Sequence, residues 1–228
     1  MFYPGDPFAD VVRLAEEQQL QITEAKCGYE FQIGGAKCRV VSPSKTSTNI
    51  NDLSIVLLIE YGDIRFLFTG DMEKNAEDIL INSWEDIHAN VLKVAHHGRD
   101  TSSTHMFLRV VNADYYVVSG GEQYSYLVRG RLMASGGEVF TTEEKGTIIC
   151  HSDGNEISFS FAKTGSKGNS VENEEPVELS YVGNRKSKKF HCSWCDSVKT
   201  MSEKNKVNFE TKQDAIDNGY VGCANCTP

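Results

Sequence analysis

The sequence predicts a layered α/β domain followed by a small cysteine-rich α+β module, and three observations carry that reading. Strand-like and helix-like stretches alternate through the middle of the chain, the pattern of layered α/β folds. Residues 164–180 are polar, rich in Gly, Ser and Glu, and without hydrophobic period, which reads as a linker. Four of the seven cysteines crowd together beyond residue 191. The expected layout is an α/β domain over 1–163, a linker over 164–180 and a second module over 181–228.

The elements follow in order. Residues 7–20 carry Phe8, Val11, Val12, Ala15 and Leu20 near one helical stripe. Tyr29 to Ile33 and Cys38 to Val41 flank a Gly-Gly pair and read as a hairpin. Ser54 to Tyr61 and Ile64 to Thr69 flank Gly62-Asp63 and read as a second one. Their near-continuous apolar runs predict burial on both faces. Glu73 to Ile81 reads as helix, Ala89 to Ala95 as strand, and Thr104 to Val111 as a helix opened by Ser/Thr capping residues. Tyr115 to Ser119 is strand and Leu127 to Ala134 helix. Val139 to Thr141, Thr147 to His151 and Ile157 to Phe161 complete the strands.

Composition narrows the class. The 228 residues suffice for one medium domain and one small one. No run reaches the ~18–20 apolar residues that a membrane helix requires. Met1-Phe2-Tyr3-Pro4-Gly5-Asp6 shows no secretory pattern, so the default expectation is the cytoplasm. Net charge is −9. Residues 181–228 hold eight Lys/Arg against five Asp/Glu, or +3, and 164–180 hold one Lys against four Glu, or −3. The remaining 1–163 then carry −9. Such an acidic body does not attract polyanions by its overall field. A nucleic-acid substrate would need a local metal or the basic tail to hold it. Cys27, Cys38 and Cys150 stand singly in strand-like surroundings and read as core residues.

Two motifs carry chemistry. Leu67-Phe68-Thr69-Gly70-Asp71 is a strand ending in Gly-Asp, and Leu92-Lys93-Val94-Ala95-His96-His97-Gly98 is a strand ending in His-His-Gly. Sites in layered α/β folds gather at strand C-terminal ends. Carboxylate and imidazole suit Zn²⁺ or Mn²⁺, and a carboxylate bridging two cations is a known arrangement for attack on a phosphodiester. The plain alternative is that Asp71 caps the helix near Glu73 and the histidines are incidental.

The run from Asn51 to Gly154 resembles the metallo-β-lactamase superfamily, in particular the hydrolase domain of ComEC-type competence proteins. The matching residues are Asn51-Asp52-Leu53-Ser54, Phe66-Leu67-Phe68-Thr69-Gly70-Asp71, Val91 to Gly98 with Thr101-Ser102-Ser103, Tyr116-Val117-Val118-Ser119, Val139-Phe140-Thr141-Thr142 and Gly146-Thr147-Ile148. The resemblance implies a metal-dependent hydrolase, phosphodiesterase-like or nuclease-like, acting on DNA or another phosphodiester. It implies that Asp71 bridges two metals and that His97 is a terminal ligand. It further implies that His96 lies beside the metals against substrate and that Asn51 supports the site.

Three departures accompany it. The family's His-x-His-x-Asp-His motif is absent, the first histidine being His88. No histidine shortly follows Ser119, and Arg99 replaces a small residue. Two protein ligands fall short of the three that catalytic zinc sites use. The expectation is a chain that begins inside the domain and is incomplete alone, or else a non-catalytic remnant.

In the tail, Cys192-Ser193-Trp194-Cys195 and Cys223-Ala224-Asn225-Cys226 form two Cys-x-x-Cys pairs separated by 27 residues, a tetrahedral metal signature. Closing such a site supplies folding energy that a small module otherwise lacks. The segment also resembles the Ada-type zinc-binding fold through Phe190-His191, Cys195, Asn205, Ala215-Ile216, Gly219-Tyr220 and Cys223-x-x-Cys226-Thr-Pro. That resemblance implies the ligands His191, Cys195, Cys223 and Cys226, with structural Zn²⁺. Local spacing would choose Cys192 in place of His191. A histidine at the first position cannot accept a methyl group, so repair activity is not expected. Lys186, Lys188, Lys189, Lys199, Lys204 and Lys206 make the module basic, fit for phosphate contacts or simply for a solvated surface.

Overall fold

The computed structural model describes residues 7–43, 47–83, 85–121, 124–162, 181–193 and 195–223. Residues 1–6, the expected linker and Cys226 lie outside them. The chain is an α/β fold built on one seven-stranded sheet, as the alternation predicts. In chain order its elements are α1 (Pro7–Glu17), β1 (Glu30–Ile33), β2 (Ala36–Ser42), β3 (Val56–Tyr61), β4 (Ile64–Phe68), α2 (Lys74–Ile81), β5 (Val91–Lys93), α3 (His105–Val111), β6 (Tyr115–Val118), α4 (Tyr126–Ala134), β7 (Glu138–Thr141), α5 (Thr142–Lys145), β8 (Thr147–Ser152) and β9 (Ile157–Ala162). The described part of the tail adds β10 (Tyr181–Asn184), β11 (Lys189–Cys192), α6 (Asp196–Lys199), β12 (Lys206–Phe209), α7 (Lys212–Asp217) and β13 (Val221–Gly222).

The large sheet runs β1-β2-β3-β4-β5-β6-β7, each strand beside its sequence neighbour. The first four strands form an antiparallel meander, with tight turns between β1 and β2 and between β3 and β4 and a longer connection, carrying the 3-10 turn Ile50–Leu53, between β2 and β3. From β4 to β7 the pairing is parallel, because a helix intervenes after each strand and returns the chain to the same end. Leu58, Leu67, Leu92 and Tyr116 line up across four strands through their pairing and share one face. Against it pack Leu80 of α2, Phe107, Leu108 and Val111 of α3, and Val128 and Leu132 of α4, all in one core.

The other face is covered differently. Phe140 and Tyr115 stack under Phe159 and Phe161 of the β8–β9 hairpin. That hairpin is tied at its turn, where Asp63 N–H donates to the Gly154 carbonyl at 2.7 Å. Gly62 makes this approach possible, since a Cβ there would stand 2.3 Å from the Gly154 oxygen. Towards β3 and β4 this face is only half covered, and Phe68 is 44% exposed. The apolar runs of these two strands are therefore fully buried on one face and only partly on the other, where Ile64 is buried and Leu57, Ile59 and Phe66 are half-buried. Their continuity reflects a second face that is apolar but incompletely covered among the described residues.

Two local expectations also change. The first helix stops at Glu17, three residues short of Leu20, with Val11 and Leu14 exposed. Of the three lone cysteines only Cys38 is core; Cys27 is exposed and Cys150 half-buried. Cys27 lies before β1 rather than in a strand, and its thiol contacts the Val41 carbonyl at the sheet margin.

In the tail a four-stranded sheet, β12-β10-β11-β13, carries two small apolar clusters. Leu127 of α4 packs against the cluster that contains Cys195 and Cys223. No helix among the described residues is long and apolar enough to cross a membrane.

Candidate active site and metal centre

The loops after β4 and β5 lie side by side, because those strands pair in parallel with Phe68 opposite Lys93. The Thr69 hydroxyl donates to the Lys93 carbonyl at 2.6 Å, and His96 N–H donates to the Gly70 carbonyl at 3.1 Å. Gly-Asp and His-His-Gly, separate motifs in sequence, thus become one surface. Asp71 N–H is held by the Ser54 hydroxyl at 3.1 Å. Asp71 does not cap the following helix, whose N-cap is Glu73 with no side-chain cap bond. The plain reading of Asp71 as a cap therefore fails on geometry.

His96, His97 and Gly98 form a left-handed turn, with φ of 48°, 55° and 77°. Two consecutive non-glycine residues in this region are strained, a cost that persists only where the surroundings over-determine it. Here they do. His97 Nδ1 lies 2.6 Å from the Ser119 carbonyl oxygen. A carbonyl only accepts, so the proton sits on Nδ1 and Nε2 of the neutral ring carries the lone pair. That Nε2 is 3.8 Å from an Asp71 carboxylate oxygen, and both side chains are close to half exposed. Ligand atoms sharing one tetrahedral zinc at the usual N and O distances stand ~3.3 Å apart. The pair therefore fits a shared cation after a small closure, and the Ser119 carbonyl is the outer partner a ligating histidine normally has. Among the described residues no third Cys, His or carboxylate atom joins this pair to make a cluster of three.

His96 is buried, at 8% exposed. Its Nδ1 lies 3.3 Å from Glu73 Oε1 and 3.2 Å from the Thr101 hydroxyl. Asn51, expected to support the site, sits in a 3-10 turn over Ile50–Leu53 and donates from Nδ2 to Glu73 at 2.9 Å. The Asn49 amide donates to the other Glu73 oxygen, also at 2.9 Å. The Asn51 hydrogen bond above all holds the Glu73 carboxyl below the usual glutamate range, against the upward push of burial. Sequence reasoning missed Glu73, Asn49 and Ser119. The only signal was an acidic residue two positions after Asp71, which is indistinguishable from a helix-start carboxylate.

Burial pushes the Lys93 ammonium down, and the Asp71 carboxylate pulls the other way. Lys93 donates to the Val94 carbonyl at 2.9 Å. Tyr124 closes the turn from the far side, its phenol pushed up to about 12 by burial.

A buried carboxylate braces the whole loop from behind. Glu77 of α2 is fully buried and accepts from Ser103 N–H and Thr104 N–H, the latter at 2.9 Å. Arg131 of α4 donates to the Ser102 and Ser103 carbonyls at 3.0 and 3.2 Å.

The tail brings three of the expected ligands together. His191, Cys195 and Cys223 are buried, with ligand atoms all within 4.8 Å of one another. His191 Nδ1 is 3.4 Å from Cys195 Sγ, against ~3.6 Å for N and S ligands on one tetrahedral zinc. Between the two candidates for the first position, His191 is in this group and Cys192 is not, although Cys192 is also buried. Successive β11 side chains point to opposite faces, so neighbours at 191 and 192 do not converge on one point. Cys226, the fourth expected ligand, lies outside the described residues.

No protein-family model matches the chain. It is 32% identical over 144 residues to ComE operon protein 3 of Bacillus subtilis, covering 60% of this chain and 19% of that one. It is 31% identical over 155 residues to competence protein ComA of Neisseria gonorrhoeae, covering 64% and 21%. Recombination protein 2 of Haemophilus influenzae is 32% identical over 100 residues, covering 43% of this chain and 12% of the relative. This chain is thus similar, over part of its length, to bacterial competence and recombination proteins, and spans about a fifth of the length of the first two.

Proposed function

We propose that residues 1–163 are part of a metal-dependent hydrolase of the metallo-β-lactamase kind, acting on phosphodiesters, with DNA the leading substrate class. The observation that carries this reading is the Asp71–His97 pair, at 3.8 Å on adjoining loops after parallel strands, with the His97 Nδ1–H committed to a backbone carbonyl. Asp71 and His97 would hold Zn²⁺ or Mn²⁺ there, and His96 would act beside it on substrate. A divalent cation in that place supplies Lewis-acid polarisation of a phosphoryl oxygen and activates water. The chain's own groups orient the two imidazoles and hold the loop in its left-handed form. Further ligands would come from a preceding segment that carries the family's missing His-x-His-x-Asp-His motif.

In this reading 164–180 is a linker and 181–228 an Ada-like zinc module. Its structural Zn²⁺ would be held by His191, Cys195, Cys223 and Cys226. Its lysines could contact a nucleic-acid backbone.

A second reading is favoured by one observation: only two ligand atoms meet at Asp71 and His97 among the described residues. The chain would then be a non-catalytic scaffold with a loaded tail. Elemental analysis of the purified chain tests both. About one zinc per chain, as one closed site holds, means that only the tail is loaded and this chain alone is no catalyst. A ratio approaching three, the tail plus a two-metal centre, means that the hydrolase centre assembles. Hydrolysis of a chromogenic phosphodiester should then be lost in Asp71→Asn.

A further inference from the structure

The least expected group beside the candidate site is Glu73. Three hydrogen bonds converge on its carboxylate, and a ring nitrogen stands beside it. The Asn51 and Asn49 amides reach one oxygen each, the Thr101 side chain adds a third hydrogen bond, and His96 Nδ1 stands 3.3 Å away. An ionised carboxylate only accepts, so a ring nitrogen facing it must carry a proton. Asn51 lies on the 3-10 turn between β2 and β3 and Asn49 caps it, and both amides donate to this one group. His96 itself sits in a left-handed conformation that a histidine rarely adopts. Among the described residues the hydrogen bond of the ring is made by Nδ1, and the side chain keeps 10% of its surface exposed.

We infer that Glu73 is a positioning residue for His96. It fixes the Nδ1–H tautomer and the ring orientation, so that Nε2 is the atom offered to substrate. Asn49 and Asn51 act through Glu73, fixing one carboxylate oxygen each, rather than touching substrate themselves. This assignment deepens the hydrolase reading and rests on it only for the meaning of "substrate". The tautomer itself is a property of the chain as it stands.

The test is long-range nitrogen–proton NMR of the six imidazoles in the full chain, with His96 assigned through His96→Gln. The expected result is the Nδ1–H tautomer of His96 in at least about tenfold excess, as a hydrogen bond to a charged group supports. In Glu73→Ala the ring should return to within about threefold of parity, while His97, tied to Ser119, keeps its own Nδ1–H form. Thr101→Val, which leaves Glu73 in place, should keep the His96 tautomer. A wild-type His96 in the Nε2–H form overturns the assignment, and needs no Glu73 variant to be folded. So does an unchanged His96 in Glu73→Ala with a native amide spectrum. Failure of the chain to bind a second metal or cleave a phosphodiester would sink the hydrolase reading and leave this result untouched.

Discussion

Replacing Glu77 by alanine removes the acceptor for two backbone N–H groups, those of Ser103 and Thr104, in a place with no access to water. It also removes a carboxyl group that burial pushes up and that the nearby Arg131, itself 4% exposed, pulls back down. Each hydrogen bond to a charged group contributes ~1.5–3 kcal/mol, and removing one partner of a buried charge pair costs ~3–5 kcal/mol. The two routes overlap, so a loss of about 3–5 kcal/mol is expected. At about 2–4 °C per kcal/mol for a protein of this size, the midpoint should fall by roughly 6–20 °C. Glu77→Gln keeps one acceptor oxygen and turns an NH₂ toward the other N–H, so it should fall between. Urea and thermal unfolding of the α/β part, followed by near-ultraviolet circular dichroism, measure this. A loss under about 1 kcal/mol in Glu77→Ala, within the range of an ordinary surface change, would refute the claim that this carboxylate braces the loop.

Three other outcomes are expected. Gly98→Ala places a Cβ 2.5 Å from Tyr124 Cδ2 at a φ of +77°. It should destabilise by about 1–3 kcal/mol and raise Tyr124 fluorescence quenching by solvent; an unchanged unfolding midpoint counts against the turn. Cys223→Ser should abolish stoichiometric zinc in the tail and lose the amide dispersion of residues 181–223, since metal binding and folding are linked in such modules; retained zinc at one per chain would show a different ligand set. Gly62→Ala, whose Cβ would meet the Gly154 carbonyl at 2.3 Å, should free the β8–β9 hairpin and speed proteolysis near residue 154, with the helical side of the sheet intact.

Much of the fold was legible because burial and period coincide. The core helices α2, α3 and α4 and the strands from β3 to β9 fall within a residue or two of their expected places. Helix α1 overran because its spacing is amphipathic but its apolar residues find little to pack on. The double-sided burial expected of β3 and β4 is met only in part for a related reason. A continuous apolar run reports that both faces are apolar, not that both are covered.

In the site, Cys195 and Cys223 could be named from residue type and spacing, while Asp71, His97 and His191 were named through the family resemblances, local spacing favouring Cys192 over His191; the structure groups the five into one pair and one trio. The partners that orient them could not. The Ser119 carbonyl has no side-chain signature, and Glu73 meets Asn49, Asn51 and His96 only because two loops cross. Asn51 was named for the right neighbourhood, but its amide serves a carboxylate.

The strictly sequential order of the large sheet has a kinetic consequence. Every strand pairs with the one made just before it, so no pairing waits for a distant segment. Contacts close in sequence have small loop-closure costs and favour fast folding. The tail differs, since His191 and Cys223 must close a long excursion before a cation can bind both. During synthesis the sheet should therefore zip up strand by strand, with the thiols of Cys195 and Cys223 remaining open to exchange until residue 223 has emerged. Under the proposed metal site, capture of a cation would then follow closure of the sheet and depend on the concentration of free metal.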